Sequence, residues 1–305
     1  MIQLTPDCFN QICADMAVRE QLGSLDDHRR AALRRFWLWI GGGLALGAAV
    51  VASLLASGNR GAESQSWLAI VIPILAIFLG TRGLSRVSGD LKRPVLGALA
   101  AKAGLEYMAD GFSPPVYPEA RNALFGRLTS EKFTDLFHGG DDKGLHLALY
   151  EADLTRSSGK SSHTVFKGQV YAIERRKTAG GTTVIVPDRS LFNFLKPMSG
   201  MERVKLDSDA EFENKFEVYS TSEMEARQLL FDSGLRARLL ELRQLGRVFV
   251  FVGPDGALLA ASTGKDRFEP GSMFSAKPGD ERVRAMVEDV CAALLTLSEV
   301  KAALG

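Results

Sequence analysis

Three histidines, His138, His146 and His163, fall in one stretch of chain with Asp135, Asp141, Asp142, Glu151 and Asp153. Imidazoles and carboxylates together are the donor set of many divalent-metal sites. Their spacing matches no recurring ligand pattern, and a metal needs converging ligands held by a hydrogen-bonded outer shell. The expectation is surface histidines, with no metal and no cofactor. Glu151 and Asp153 lie two residues apart, on the same strand face as Leu145, Leu147 and Leu149. A carboxylate ending an apolar stripe can have a raised pKa and act as an acid or base. Such a pair more often sits at the wet edge of a sheet, so no catalytic residue is assigned. The string Gly159-Lys160-Ser161-Ser162 evokes a phosphate loop, but the position of its first glycine is Leu154 and no helix pattern follows. No G-x-S-x-G elbow occurs, and no cysteine has a histidine placed by a recognised motif.

The elements that would carry these residues read as strands. From about residue 130 the pattern alternates: "LHLALYEADL", "HTVFKGQVYAIE" and "TTVIVPD". Pairing the first two around residues 158 and 159 opposes Leu149 with Gly168 and leaves "RSSGKSS" as a hairpin tip. "RVFVFV" and "ALLAAS" flank "GPDG", a second hairpin, with Val248, Val250 and Val252 on one face and Phe249 and Phe251 on the other. Ser220 stands three residues before Glu223, a capping-box spacing that predicts a helix start. Leu235, Leu239 and Leu242 share a helical face that stops at Gly246, a C-terminal glycine. A last helix begins near Pro278, with Val283, Val287, Val290, Leu294 and Leu297 in line. The proline-rich "DGFSPPVYPEA" reads as a linker. Strands and helices in separate runs predict an α+β fold, a mainly antiparallel sheet (a roll or partial barrel) with helices that include the C-terminal one.

Ahead of this domain lie two apolar runs. Residues 36–56, "FWLWIGGGLALGAAVVASLLA", carry no charge and match the ~20 residues a helix needs to cross a bilayer. Trp37 and Trp39 stand at its entry, where amphipathic rings favour headgroups. The second run, Trp67 to Gly80, is shorter. Extended from Ser64 to Leu84 it reaches spanning length, with Pro73 tolerated inside and Arg82 reaching toward headgroups. Arg29, Arg30, Arg34 and Arg35 precede the first run, and Arg82, Arg86, Lys92 and Arg93 follow the second, whereas the connector holds only Arg60 beside Glu63. Basic residues stay on the cytoplasmic side. The expectation is a two-helix transmembrane hairpin in a bacterial inner membrane, both termini cytoplasmic. Gly43 and Gly47 form a G-x-x-x-G pair that lets another helix approach closely. The boundaries expected are 1–35, an amphipathic helix broken near Gly23; 36–88, the hairpin; 89–112, a juxtamembrane helix; and 113–305, the α+β domain.

A net charge of +1 gives no global field to attract nucleic acid, so none is expected as a partner. Cys8, Cys13 and Cys291 are too few for a disulfide framework and read as reduced thiols.

The string "HTVFKGQVYAIE…VIVPD…MERVKLDSDAEFENKFEVYSTSEMEARQLL", with "KDRFEP" further on, resembles a bacterial family of domains of unknown function. The resemblance implies a charged first helix, two membrane helices, and a cytoplasmic domain bearing the F-E-V-Y-S and E-A-R signature. It implies no established activity. It also implies, as a partner beside the lipid bilayer, a LemA-type membrane-anchored helical protein; a second copy of the chain is the alternative suggested by the small-residue pair. The function expected is a membrane-anchored binding or scaffold domain, the alternatives being an anionic-lipid sensor with a pleckstrin-homology-like roll and an enzyme using Glu151 and Asp153.

Overall fold

The computed structural model describes residues 16–56, 67–140, 145–159, 161–174, 180–188, 200–206, 209–231, 233–269 and 279–304. Asp141, Asp142, Cys8, Cys13 and the connector with Arg60 and Glu63 lie outside them. The contacts divide the chain into two compact units. One holds residues 16–96 with Glu269–Met286, and the other Gly97–Phe268 with Val287–Gly305.

In the first unit, helix α1 (Met16–Ala56) is continuous. The break expected near Gly23 does not occur. A single glycine costs a helix interior only about 1 kcal/mol, less than its flanking turns supply. Helix α2 (Leu68–Lys102) is also continuous, carrying Pro73 and Pro94 inside it. The separate juxtamembrane helix expected over 89–112 is therefore the end of α2, followed by strand β1 (Glu106–Met108). The two helices run antiparallel where they meet. A Cβ on Gly43 would fall 2.4 Å from the Ala76 Cβ, one on Gly47 would fall 3.2 Å from the Ala69 carbonyl oxygen, and one on Gly80 would fall 2.9 Å from the Phe36 ring. Small residues at these three levels set the helix separation.

The second unit is a nine-stranded sheet. Its further elements are α3 (Tyr117–Leu124), β2 (Ser130–Gly140), β3 (His146–Ser158), β4 (Ser161–Glu174), β5 (Thr183–Pro187), β6 (Glu202–Val204), α4 (Ala210–Glu213), β7 (Phe216–Ser220), α5 (Glu223–Phe231), α6 (Ser233–Leu245), β8 (Arg247–Val252), β9 (Gly256–Ser262) and α7 (Gly279–Leu304). The strand order is β1-β2-β3-β4-β9-β8-β5-β7-β6, and every pairing is antiparallel. An α+β fold results.

Both faces of the central strands are covered, which is why β8 and β9 are buried almost throughout. One face carries Ala148, Tyr150, Ala152, Val170, Ala172, Phe249 and Phe251 and packs around α3. Phe125, just past α3, sits 5.3 Å from the Phe166 ring and 5.4 Å from that of Phe249. The proline-rich stretch is thus no linker. Pro118 lies in the first turn of α3, where its missing N–H is harmless. Val116, at φ 61°, swings the chain inward so that Tyr117 is buried.

The β3–β4 hairpin is present with a different register. Leu149 pairs with Tyr171, and Gly168 pairs with Ala152. Two features shift it: Ser158 pairs with Ser161 at the tip, with Gly159 left-handed, and Val165 is bulged between Phe166 and Thr164. The opposite face is covered by α6, which packs on β8 and β9, and by the second half of α7, joined to α6 through Arg238 and Thr296.

Candidate functional site

The sheet separates the three histidines. His138 on β2 and His146 on β3 share a face with Glu174 on β4, and the three line a cleft of about 330 Å³ with Phe112 and Pro115. His163 pairs with Arg156 near the hairpin tip. At ~3.3 Å per residue, that puts it roughly 30 Å along the strands from His146. Among the described residues no group of three or more histidine, cysteine or acidic side chains could hold a metal. Asp135 is committed elsewhere. It sits at the β2 bulge with φ 62° and accepts the Tyr107 hydroxyl at 2.7 Å.

Glu151 and Asp153 point to the α6–α7 face, yet neither is the wet-edge carboxylate expected. Glu151 is 2% exposed, and its Oε1 accepts the backbone N–H of Arg267 at 2.7 Å and of Phe268 at 3.3 Å. Phe268 is fully buried with its ring 5.7 Å from Phe137. Glu151 therefore pins the "KDRFEP" segment to the sheet. Asp153 pairs with Lys167 at 3.3 Å, and Lys167 also reaches Asp266 at 3.0 Å. The hydrogen bond to Asp266 leads the causes that raise the Lys167 pKa.

The F-E-V-Y-S and E-A-R residues form a seam. Glu217 accepts the Tyr219 hydroxyl at 3.0 Å and faces Arg203 at 3.5 Å. The Ser220 hydroxyl meets that of Thr183 at 3.0 Å and accepts the Ser222 N–H at 3.0 Å. Glu225 accepts the Gly181 N–H at 2.5 Å, and Arg227 pairs with Glu223 at 2.8 Å. The residue capping α5 is Ser222, whose hydroxyl lies 3.5 Å from the Glu225 N–H. Ser220 is still in β7. These groups join β5, β7 and α5, so the signature is one of architecture.

A second, larger cleft of about 460 Å³ lies between the sheet, α6 and α7. Leu242, Leu245, Ala292 and Leu295 give it apolar walls, and Gln169, Tyr171, Arg238 and Thr296 line it with polar groups. The Tyr171 hydroxyl donates to Gln169 Oε1 at 2.9 Å, and Arg238 Nη2 donates to Thr296 Oγ1 at 2.8 Å. Burial pushes the Tyr171 pKa well up, so the hydroxyl stays protonated. Asp289, also lining the cleft, is raised by burial against the opposing pull of Arg267 3.6 Å away. Nothing in the residue spacing announced this cleft. Gln169 and Arg238 meet only because β4 and α6 are brought together by strand order.

Helices α1 and α2 carry a different feature. Arg29–Ala56, 28 residues whose most apolar 18-residue window has a mean hydropathy of 2.0, is long and apolar enough to cross a membrane, and only 11% of that window is buried. At 1.5 Å per residue it extends about 42 Å, against a hydrocarbon core of about 30 Å. Leu68–Arg82 is apolar and shorter. Trp37, Leu38, Leu55, Trp67, Ile70, Ile74 and Phe78 are all more than half exposed. In water each such side chain forgoes about 1.5–3 kcal/mol of burial. Arg30, Arg34, Arg35, Arg82 and Arg93 are exposed, Arg29 is half-buried, Trp39 is 52% exposed, and the side chain of Arg86 lies outside the description. Lys92 differs from the expected interfacial lysine. It is buried and donates to Glu269 at 2.5 Å. Cys291, buried on α7, is disulfide-bonded, in place of the reduced thiol expected.

A solved structure, that of the mycobacterial trehalose monomycolate transport factor A, TtfA, aligns over 65% of this chain and 90% of its own, at 14% identity and a TM-score of 0.34. No match was found among curated proteins. The family described as "Protein of unknown function (DUF3137)" matches residues 164–300. That span runs from β4 into α7 and contains the whole seam of β5, β7 and α5. Over residues 164–300 the chain is therefore similar to this family of proteins of unknown function.

Proposed function

We propose that the chain is a membrane-anchored binding or scaffold module, held in a bacterial inner membrane by α1 and α2 with its α+β domain on the cytoplasmic side. The observation that carries this reading is the exposed apolar surface of the two helices. A core helix of a soluble protein would hide such residues, whereas lipid accepts them. Arg29, Arg30, Arg34, Arg35, Arg82, Arg86 and Arg93 would lie at the cytoplasmic headgroups, with Trp37, Trp39 and Trp67 in the interfacial belts. Lys92 drops out of that set because Glu269 neutralises it.

The non-catalytic part of the reading rests on Glu151 and Asp153, both engaged in structural contacts. A helical partner, a second copy or a LemA-type protein, would meet α1 on a face other than Gly43 and Gly47, because Ala76 and Pro73 of the same chain occupy that face. The topology is tested with two fusions at Gly305, a phosphatase active only outside the cytoplasm and a fluorescent protein that matures only inside it. Fluorescence without phosphatase activity is expected. The reverse result overturns the proposed orientation.

A further inference from the structure

Gln169 is 5% exposed and lines the α6–α7 cleft, yet its Nε2 has no hydrogen-bond partner. Its neighbours fix which atom is left over. The Tyr171 hydroxyl gives its hydrogen to Gln169 Oε1, while Thr296 Oγ1 donates to the Ala292 carbonyl at 3.0 Å and accepts from Arg238. The amide nitrogen remains as a donor. Arg238 Nε, from the other side of the same cleft, is a second buried donor without an acceptor. A buried donor left without an acceptor is costly, so two beside one cavity mark a place where an acceptor belongs.

The charges at the cleft narrow the ligand. Arg238 pairs with Glu241 and Glu299 at 2.9 and 2.8 Å, and Arg267 faces Asp289, leaving two cations against three carboxylates. That balance repels an anion and selects a neutral acceptor. Leu242, Leu245 and Leu295 supply an aliphatic wall, with Leu245 60% and Leu295 37% exposed. The volume falls in the ~300–1,000 Å³ range of small-molecule sites. We infer that this cleft binds a small neutral molecule in which a carbonyl oxygen adjoins an aliphatic chain, the oxygen taking the Gln169 amide N–H and the chain lying on Leu242, Leu245 and Leu295. The inference is independent of the membrane anchor.

The test uses the full-length chain, 15N-labelled at glutamine and glycine, in nanodiscs of phosphatidylethanolamine and phosphatidylglycerol. The probe is N-acetyl-leucinamide, and the readout is the side-chain amide resonance of Gln169, identified by its loss in Gln169→Met. A saturable shift is expected. In Leu245→Glu, which alters an exposed wall residue, the same resonance should need roughly tenfold more probe at an unchanged Tm. Binding to Gln169→Met, followed by the backbone resonance of Gly246, should be lost. An unsaturated drift in the wild type, or equal affinity in either variant, overturns the inference; Gln169 would then be a residue of the fold partnered by ordered water.

Discussion

Glu151 shows how a residue's type can mislead and its surroundings correct the reading. Its sequence context, an acid at the end of Leu145, Leu147 and Leu149, suits a sheet-edge charge and, less often, a general acid. The structure gives it a third role, because the backbone N–H groups of Arg267 and Phe268 sit 116 and 117 positions away in sequence and converge on Oε1. Sequence spacing carries no trace of that meeting. Two predictions separate structural from catalytic duty. Glu151→Ala leaves the buried Phe268 N–H and the half-buried Arg267 N–H without their acceptor and should cost about 1–3 kcal/mol of stability, read as a lower denaturant midpoint. Glu151→Gln keeps an acceptor oxygen at the same reach and should recover most of that loss. A Gln variant as unstable as the Ala variant would mean that the charge itself, and not the acceptor, holds the segment.

At the scale of elements, most strands and helices of the α+β domain are legible, and their junctions are not. The β8–β9 hairpin follows from strict alternation on either side of "GPDG", and α6 from Leu235, Leu239 and Leu242, all three buried. The β3–β4 register is missed because the bulge at Val165 is one residue that no periodicity shows. Val116 and Pro118 look like linker residues and instead turn the chain into the core. Gly246 is the most instructive junction. Its place after α6 suggests a left-handed cap, but it is absent from the positive-φ glycines, and a Cβ there would lie 1.7 Å from the Ser262 carbonyl oxygen. Close approach of β9 to the α6–β8 corner requires the glycine. Gly246→Ala should therefore destabilise toward the upper end of the about 1–3 kcal/mol typical of overpacking, measured by thermal unfolding. A left-handed cap would predict a smaller loss and full tolerance of Asn, which the close approach forbids.

At the scale of the whole chain, an α+β domain and an apolar helix pair are distinct parts. The F-E-V-Y-S and E-A-R residues of β7 and α5 make hydrogen bonds within the sheet and from α5 to the segment before β5. The apolar surface of α1 and α2, with its exposed Trp, Leu, Ile and Phe side chains, is the feature on which the proposed membrane anchor rests. The long apolar helix α1 is legible in the sequence because a run without charge of that length stands out from the rest of the chain. The α6–α7 cleft is not, since its lining comes from β4, β9, α6 and α7 at once. The most direct measurement is extraction of membranes that contain the full-length protein with alkaline carbonate, which strips peripheral proteins and leaves embedded ones. The account predicts that the chain stays with the lipid pellet, and that Leu46→Arg together with Ile74→Arg, two charges placed on exposed apolar helix surfaces, shifts it toward the supernatant. Release of the intact unaltered chain into the supernatant would contradict it.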